Sequence, residues 1–312
     1  MPTTLTGSAL ADRVRLAIKK SGSSQRDIAT QADIEETKLS KSLKGLRRFT
    51  ADELLRLAMA TGVTVSWIMG EQSSAVSADP PATPSSGHPS RSADQKLKHR
   101  KITEAAWRLF AEQGFESVRI VDIAAEAGVS SATVHYYFPT KQDLHTAAMA
   151  YSVKLAYDRQ VAWLSDVSDP AERLTRLLEL QSPDGHTAEM EWSIWLQTWN
   201  KITVDGRRNP AYLESYARWV ATVRSTIEDG QRQGLFRAGD AEAMATELTS
   251  LVDGYGIKVL THVIEAPAMA RGLQDYLRRC LAVQGSRAEA RWTTSLPTDH
   301  HLPTSLRNGA EP

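Results

Sequence analysis

The chain is predicted to be all-α. Apolar residues recur at spacings of three and four, strand-like alternation is rare, and Ala, Leu, Glu and Arg dominate the periodic segments. Its 312 residues are enough for two or three domains. The 37 basic and 37 acidic residues cancel, so no global attraction to nucleic acid is implied and a non-specific architectural DNA binder is disfavoured. A single cysteine, Cys280, excludes an internal disulfide framework and fits a reducing compartment. The first residues lack a charged-then-apolar signal, and no apolar run is long enough to span a bilayer, so a cytoplasmic protein without membrane association is expected.

Taken in order, residues 1–70 form a first helical unit. Leu10, Val14, Ala17 and Ile18 make the inward stripe of a first helix that ends near Ser21-Gly22. Ser24 caps a short second helix with Ile28 and Ala29 inward, and a turn around Asp33 leads to a third helix from about Glu35 to Lys44, stopped by Gly45. A fourth runs from Ala51 to Thr61, burying Leu54, Leu55, Leu57 and Ala58, and Val65 to Gly70 closes the core. The order S-Q-x-x-I-A-x-x-A-x-I, then K-G-x-R-R-x-T-x-x-x-L-x-x-L-A, then V-S-W-I-M-G resembles the Cro/CI-like (XRE) helix-turn-helix family, whose fold is a five-helix DNA-binding domain. That resemblance implies DNA contact by Gln25 at the start of helix two, by Glu36, Thr37 and Lys41 on the recognition helix, and by Lys44 and Arg47 on phosphate. Asp33 replaces the family's turn glycine, which Asp tolerates in left-handed geometry. Acidic Glu36 must accept from a cytosine amino group or stand clear of phosphate.

Residues 71–94 shift to Ser, Pro, Ala and Gly, with Pro80, Pro81, Pro84 and Pro89, and read as a flexible linker. Such a segment has an end-to-end distance of roughly 25–30 Å, against about 34 Å for one turn of DNA. A tether of that length would let the first unit reach a neighbouring major groove.

Residues 95–142 form a second unit. Ile102, Ala105, Ala106, Leu109 and Phe110 share a helix face that Gly114 terminates. A short helix runs from about Ile120 to Ala127, Gly128 makes the turn, and Ser130 caps a third helix through Tyr137. Two short helices joined at a glycine turn make a helix-turn-helix, whose second helix lies in the major groove. Ser131, Thr133, His135, Tyr136 and Tyr137 form its small or polar-tipped face; Pro139 ends it, Thr140 caps the next helix, and Lys141 is placed to grip a phosphate. The run I-A-x-x-A-G-V-S-x-x-T-V-x-Y-Y-F-x-x-K resembles the TetR family of one-component bacterial transcription regulators. Val118 and Arg119 replace the family's Thr/Ser before the second helix, with Arg119 as a substitute phosphate contact. Lys38, Lys41, Lys44, Arg47 and Arg48, and again Arg91, Lys96, Lys98, Arg100 and Lys101, cluster beside the two units, where phosphate neutralisation is useful.

Residues 143–285 read as long helices: about 141–165, 171–180, 187–202, 210–233, 241–264 and 267–282. The segments Q-x-G-L-F-x-x-x-D and L-x-x-L-V-D-G-Y-G resemble the C-terminal effector-binding and dimerisation domain of TetR-family members. That resemblance implies a homodimer joined by a four-helix bundle, and Leu248, Leu251, Val252, Val259, Leu260 and Val263 offer the apolar seam. Residues 286–312, His300 and His301 included, are expected to be a disordered tail.

Trp192, Trp195 and Trp199 stand at i, i+3 and i+7, with Trp163 and Trp219 on neighbouring helices. Tryptophans so spaced fill a core, or line a small-molecule pocket or an aromatic cage for a cation. Glu191, Gln197, Asn200, Tyr216 and His262 are its candidate polar partners. No phosphate-cradling glycine loop and no zinc spacing occurs, so no enzyme, metal or cofactor is expected. Cys280 reads as a buried thiol near the dimer seam, and His135 as a base or phosphate contact. The expected function is a ligand-responsive repressor of a double-stranded DNA operator, with two helix-turn-helix heads per chain and a small-molecule effector. In the family, effector entry moves the helix after Lys141. The alternatives are a first unit that binds protein instead of DNA, and, more remotely, a helical enzyme.

Overall fold

The computed structural model describes residues 7–70, 93–206 and 209–293. It is helical, and it divides into two compact units at Ala162/Trp163. Among the described residues, no helix is long and apolar enough to cross a membrane, and no group of three or more His, Cys, Asp or Glu is placed to hold a metal.

The first unit opens with α1 (Gly7–Ser21), α2 (Gln25–Gln31), α3 (Glu36–Leu43), α4 (Ala51–Thr61) and α5 (Val65–Ile68). Local chemistry sets these boundaries. Ser24 and Asp27 form a reciprocal capping box on α2, as do Thr50 and Glu53 on α4, and Thr64 caps α5. Gly62 ends α4 in left-handed geometry, and Asp33 adopts φ 47° in the α2–α3 turn, as its short polar side chain permits. Val14, Ala17, Ile28, Leu39, Leu57, Val65 and Ile68 are buried at the centre. Trp67 lies under two cations, Lys20 and Arg13, and its carbonyl accepts from Arg13 Nη1 at 2.7 Å.

The same unit continues with α6 (Ala93–Gln113), α7 (Ile120–Glu126), α8 (Ser131–Tyr137) and α9 (Lys141–Leu164). Gly114 and Gly128 both take the positive φ that their turns require. Ile102, Ala106, Phe110, Val118, Ile123, Val134 and Leu144 form the three-helix core.

The first five helices are not merely tethered to this three-helix element, as the linker composition suggested; they dock on it. Arg100 of α6 donates to the carbonyls of Met59 (3.1 Å) and Ala60 (2.6 Å) at the end of α4. Asp158 of α9 accepts the Val65 backbone N–H at 2.7 Å. The linker itself, read as residues 71–94, lies outside the described residues up to 92, and α6 begins at Ala93.

The second unit holds α10 (Pro170–Glu179), α11 (His186–Asp205), α12 (Pro210–Arg232), α13 (Ala241–Leu260), α14 (Ala266–Tyr276), a π-helical continuation Leu277–Leu281, and α15 (Arg287–Thr293). Its core gathers Leu174, Val223, Ile227, Leu248, Val252, Leu273 and Trp292. The Gly-Leu-Phe turn after α12 folds back on its own helix. Phe236 packs so closely on Gly230 that a Cβ there would fall 2.0 Å from the ring, and the Phe236 segment bridges to Ala282.

Three sequence expectations are corrected here. Helix α13 ends at Leu260, four residues before Ile264, because His262 turns left-handed (φ 57°) and Val263 N–H returns to the Lys258 carbonyl. The expected tail from 286 is ordered through Thr293: Trp292 is 3% exposed, stacks on Phe236 and donates to Thr175 Oγ1 at 2.9 Å. His300 and His301 lie outside the described residues. The seam is corrected as well, since Leu248 and Val252 are buried in their own chain's core and cannot face a second subunit. Leu251, Val259 and Leu260 pack partly on that core, leaving Val263 as the exposed member. Cys280, expected as a buried thiol near a subunit seam, is exposed in the single chain.

Candidate nucleic-acid interface and effector pocket

The turn between α7 and α8 presents a reading face. Ser130 accepts the Thr133 N–H at 3.2 Å, fixing the start of α8. Val134 turns inward, so its neighbours turn outward. Tyr136 is 73% exposed, His135 is exposed, and Ser131, Thr133 and Tyr137 are half-buried on the rim. Tyr137 leans edge-on to Tyr136 and to His99. Arg119 extends into solvent while ion-pairing with Asp122, whose carboxylate accepts the Arg119 backbone N–H at 2.8 Å. That acceptor is the acid half of a capping box, and Arg119 offers no hydroxyl for the other half. The pairing also holds the Asp122 carboxyl below its ordinary value. Lys141 sits over the Phe115 ring and donates to the Glu116 carbonyl at 3.2 Å. Among the linker-side cations, Lys98 pairs with Asp94 at 2.8 Å and Arg100 is turned to α4.

On the first five helices, Gln25, Glu36, Thr37, Lys41 and Lys44 are all exposed, on the α2–α3 side. The Thr37 hydroxyl donates to Glu35 and holds that carboxyl below its ordinary value, with Lys38 and Lys41 adding to the effect. Arg47 differs from these. It donates to Glu53 Oε2 at 2.8 Å and to Ser42 Oγ at 3.1 Å, tying the end of α3 to the start of α4. Burial pushes the Glu53 carboxyl up, but Arg47 and the Thr50 backbone N–H outweigh it and the carboxyl stays below its ordinary value. Arg47 is therefore a structural ion pair as well as a candidate phosphate contact.

In the second unit the tryptophans fall in adjoining groups, with Trp192 edge-on to Trp199 at a centroid distance of 6.3 Å. Trp192 is buried, donates to the Gln181 carbonyl at 2.9 Å, and presses against Gly256, where a Cβ would fall 2.1 Å from its ring. It is a core residue. Trp163 and Trp219 pack together against Leu164, Leu177 and Leu180. Trp195 and Trp199 join Tyr216, an expected polar partner, and Tyr212, which was not expected there. Ring centroids are 6.5 Å apart for Trp195–Trp199, 5.7 Å for Trp195–Tyr212 and 5.9 Å for Tyr212–Tyr216. The Tyr216 hydroxyl donates to Asp253 Oδ2 at 2.6 Å.

Burial pushes the Asp253 carboxyl up, against the stabilising hydrogen bond from Tyr216; burial and the Asp253 charge push the Tyr216 phenol up in turn. Of the expected polar partners, Tyr216 stands in this cluster. Gln197 donates to Ser193, Glu191 is buried, and Asn200 and His262 are exposed. The sequence did carry a signal for the missed residues. Tyr212 stands one turn before the expected Tyr216 on α12, and Asp253 is an acid inside an otherwise apolar helical run. A separate cavity of about 40 Å³ lies against Leu178, Leu273 and Trp292, and none of the five candidate tryptophans lines it.

An aromatic wall with one half-buried carboxylate suits a small organic cation, and an exposed helix of small and polar-tipped residues suits a DNA groove. The chain matches the profile of bacterial regulatory proteins of the tetR family over residues 102–148, and that of the BetI-type transcriptional repressor C-terminal domain over residues 170–282. Among solved structures it is similar to a transcriptional regulator from Saccharomonospora viridis in complex with choline. The two are 44% identical, with a TM-score of 0.57, and the match covers 61% of this chain and 100% of that one. It is also similar to the transcriptional regulator BetI of Rhizobium meliloti, at 25% identity over 193 residues, 61% of this chain and 93% of the relative. The regulator PksA of Bacillus subtilis is 27% identical over 173 residues, 54% and 80% of the two chains. These relatives are transcription regulators, not enzymes.

Proposed function

Because the chain belongs to the TetR family of transcription regulators, we propose that it is a homodimeric repressor released from its operator by a small quaternary ammonium compound such as choline. The observation that carries the effector class is the cluster of Trp195, Trp199, Tyr212 and Tyr216 beside Asp253. Aromatic faces attract a cation without hydrogen bonding it, and the carboxylate adds an opposite charge that such a ligand cannot neutralise by proton transfer. The choline held by the 44% identical regulator supports the same chemistry.

On the DNA side, Ser131, Thr133, His135, Tyr136 and Tyr137 read base edges in the major groove, with Arg119 and Lys141 on the backbone. Helices α1–α5 serve as a second reader through Gln25, Glu36, Thr37, Lys41 and Lys44, supported by the exposure of all five. The two-fold seam runs along α13 and α14. Leu251, Gly254 and Ile257 follow at three-residue spacing on α13, Ile257 is exposed, and bare Gly254 leaves room for close helix approach.

The test is a footprint of the full chain on its own upstream DNA, titrated with choline and, separately, with its neutral isostere 3,3-dimethyl-1-butanol. Release by choline alone is expected. Equal action of the two compounds, or of neither, would remove the cation reading.

A further inference from the structure

The docking of α1–α5 falls on the helix that joins the reading element to the rest of the chain. Helix α9 begins at Lys141, directly behind α8, and runs to Leu164 at the boundary of the second unit. Asp158, near its far end, is fully buried. One carboxylate oxygen accepts the Val65 N–H at 2.7 Å, and the other accepts Lys154 Nζ at 2.5 Å one turn earlier on the same helix. Lys154 is itself buried. Such a buried pair is costly unless its remaining capacity is satisfied, and here part of that satisfaction comes from the first domain's backbone.

A second attachment stands on the other side of the same surface. The Arg100 guanidinium on α6 takes the Met59 and Ala60 carbonyls, which the end of α4 leaves without helical partners. Gly62, which ends α4 in left-handed geometry, lies beside the Arg100 side chain. The reading residues of α2 and α3 take no part in either attachment and stay exposed.

We infer that helices α1–α5 are latched to α9 and α6 through Asp158 and Arg100, so that the displacement of α9 which releases α8 from DNA also carries the first domain off its site. This rests on the proposal that the chain is effector-released and that α1–α5 reads DNA. The latch itself depends on neither. In this arrangement, the relative position of the two reading faces is a property of the folded protein and not of linker length. One effector then clears both sites together.

The latch is tested on the full chain by amide hydrogen exchange, and its consequence by footprinting. In Arg100→Ala, and in Asp158→Ala, exchange at Val65 and its neighbours is expected to accelerate roughly tenfold or more while α13 amides are unchanged, the pattern of a local opening. Arg100 is only half-buried, so its variant still reports if the Asp158 variant fails to fold. Unchanged exchange at Val65 in Arg100→Ala overturns the latch. On DNA, choline is expected to clear the inner and outer parts of the wild-type footprint at one concentration, and in Arg100→Ala to clear the inner part first. Separate clearing in the wild type overturns the coupling. A footprint with no outer part in either protein removes DNA reading by α1–α5, and the exchange result then decides the latch alone.

Discussion

Replacing Asp253 with asparagine removes one charge while keeping the side-chain shape and an acceptor for the Tyr216 hydroxyl, which donates at 2.6 Å in the wild type. A quaternary ammonium held against the four rings would place its charge roughly 5 Å from the carboxylate, where two unit charges attract by about 3 kcal/mol at an effective dielectric of 20. Asp253 is only half-enclosed, and solvent screening reduces this to about 1.5 kcal/mol. Choline affinity in Asp253→Asn should therefore fall roughly tenfold, measured by titration calorimetry. The neutral isostere should bind both proteins alike. Burial raises the Asp253 carboxyl above its ordinary value. Only the ionised form attracts the cation, so affinity is full above that raised value and is lost as pH falls through it. Choline has a permanent charge, so the pH dependence belongs to the protein, and it should vanish in the asparagine variant. Equal choline affinity in the two proteins, or an unchanged pH profile in Asp253→Asn, would refute the counter-charge argument and leave the rings alone as the binding element.

Three further outcomes follow from the same structure. Trp292→Ala should lower thermal stability by about 3–5 kcal/mol, the usual cost of emptying a buried tryptophan site, whereas a disordered tail would show no change on melting. Tyr136→Ala should leave the melting transition in place, because the ring is exposed, and weaken operator binding by about 1–3 kcal/mol in a gel-shift titration. Arg47→Ala should destabilise the first five helices by about 2 kcal/mol through the buried Glu53 it leaves unpaired, while Lys44→Ala should only flatten the salt dependence of DNA binding.

The parts of this fold that were legible in the sequence are those fixed by neighbours in the chain. Gly114, Gly128 and Ser130 each perform a local task, so the α6–α8 element and its reading face could be placed from them. Ser24 located α2 for the same reason. What was not legible depends on a distant partner. Lys154 and Asp158 at i, i+4 look like a solvated helix pair, and only the arrival of Val65 from 93 residues away makes them a buried joint. Trp292 sits in a polar stretch, and its ordering depends on Phe236 and Thr175.

Helix α13 shows where periodicity stops being informative. An apolar stripe reports that a face is covered, not by what. Leu248 and Val252 suited a subunit seam as well as they suited the core, and the choice was made by α12 and α14, whose side chains reached them first. The remaining outward residues then include Gly254, which has nothing within 4 Å of where a Cβ would stand, while Gly256 two residues later is pressed against Trp192. The two glycines thus face different demands. Gly256 keeps the helix close to its own core, and Gly254 is free to meet something outside it. The second subunit proposed above would lie on the side that Gly254 faces, where the space beside α13 is open.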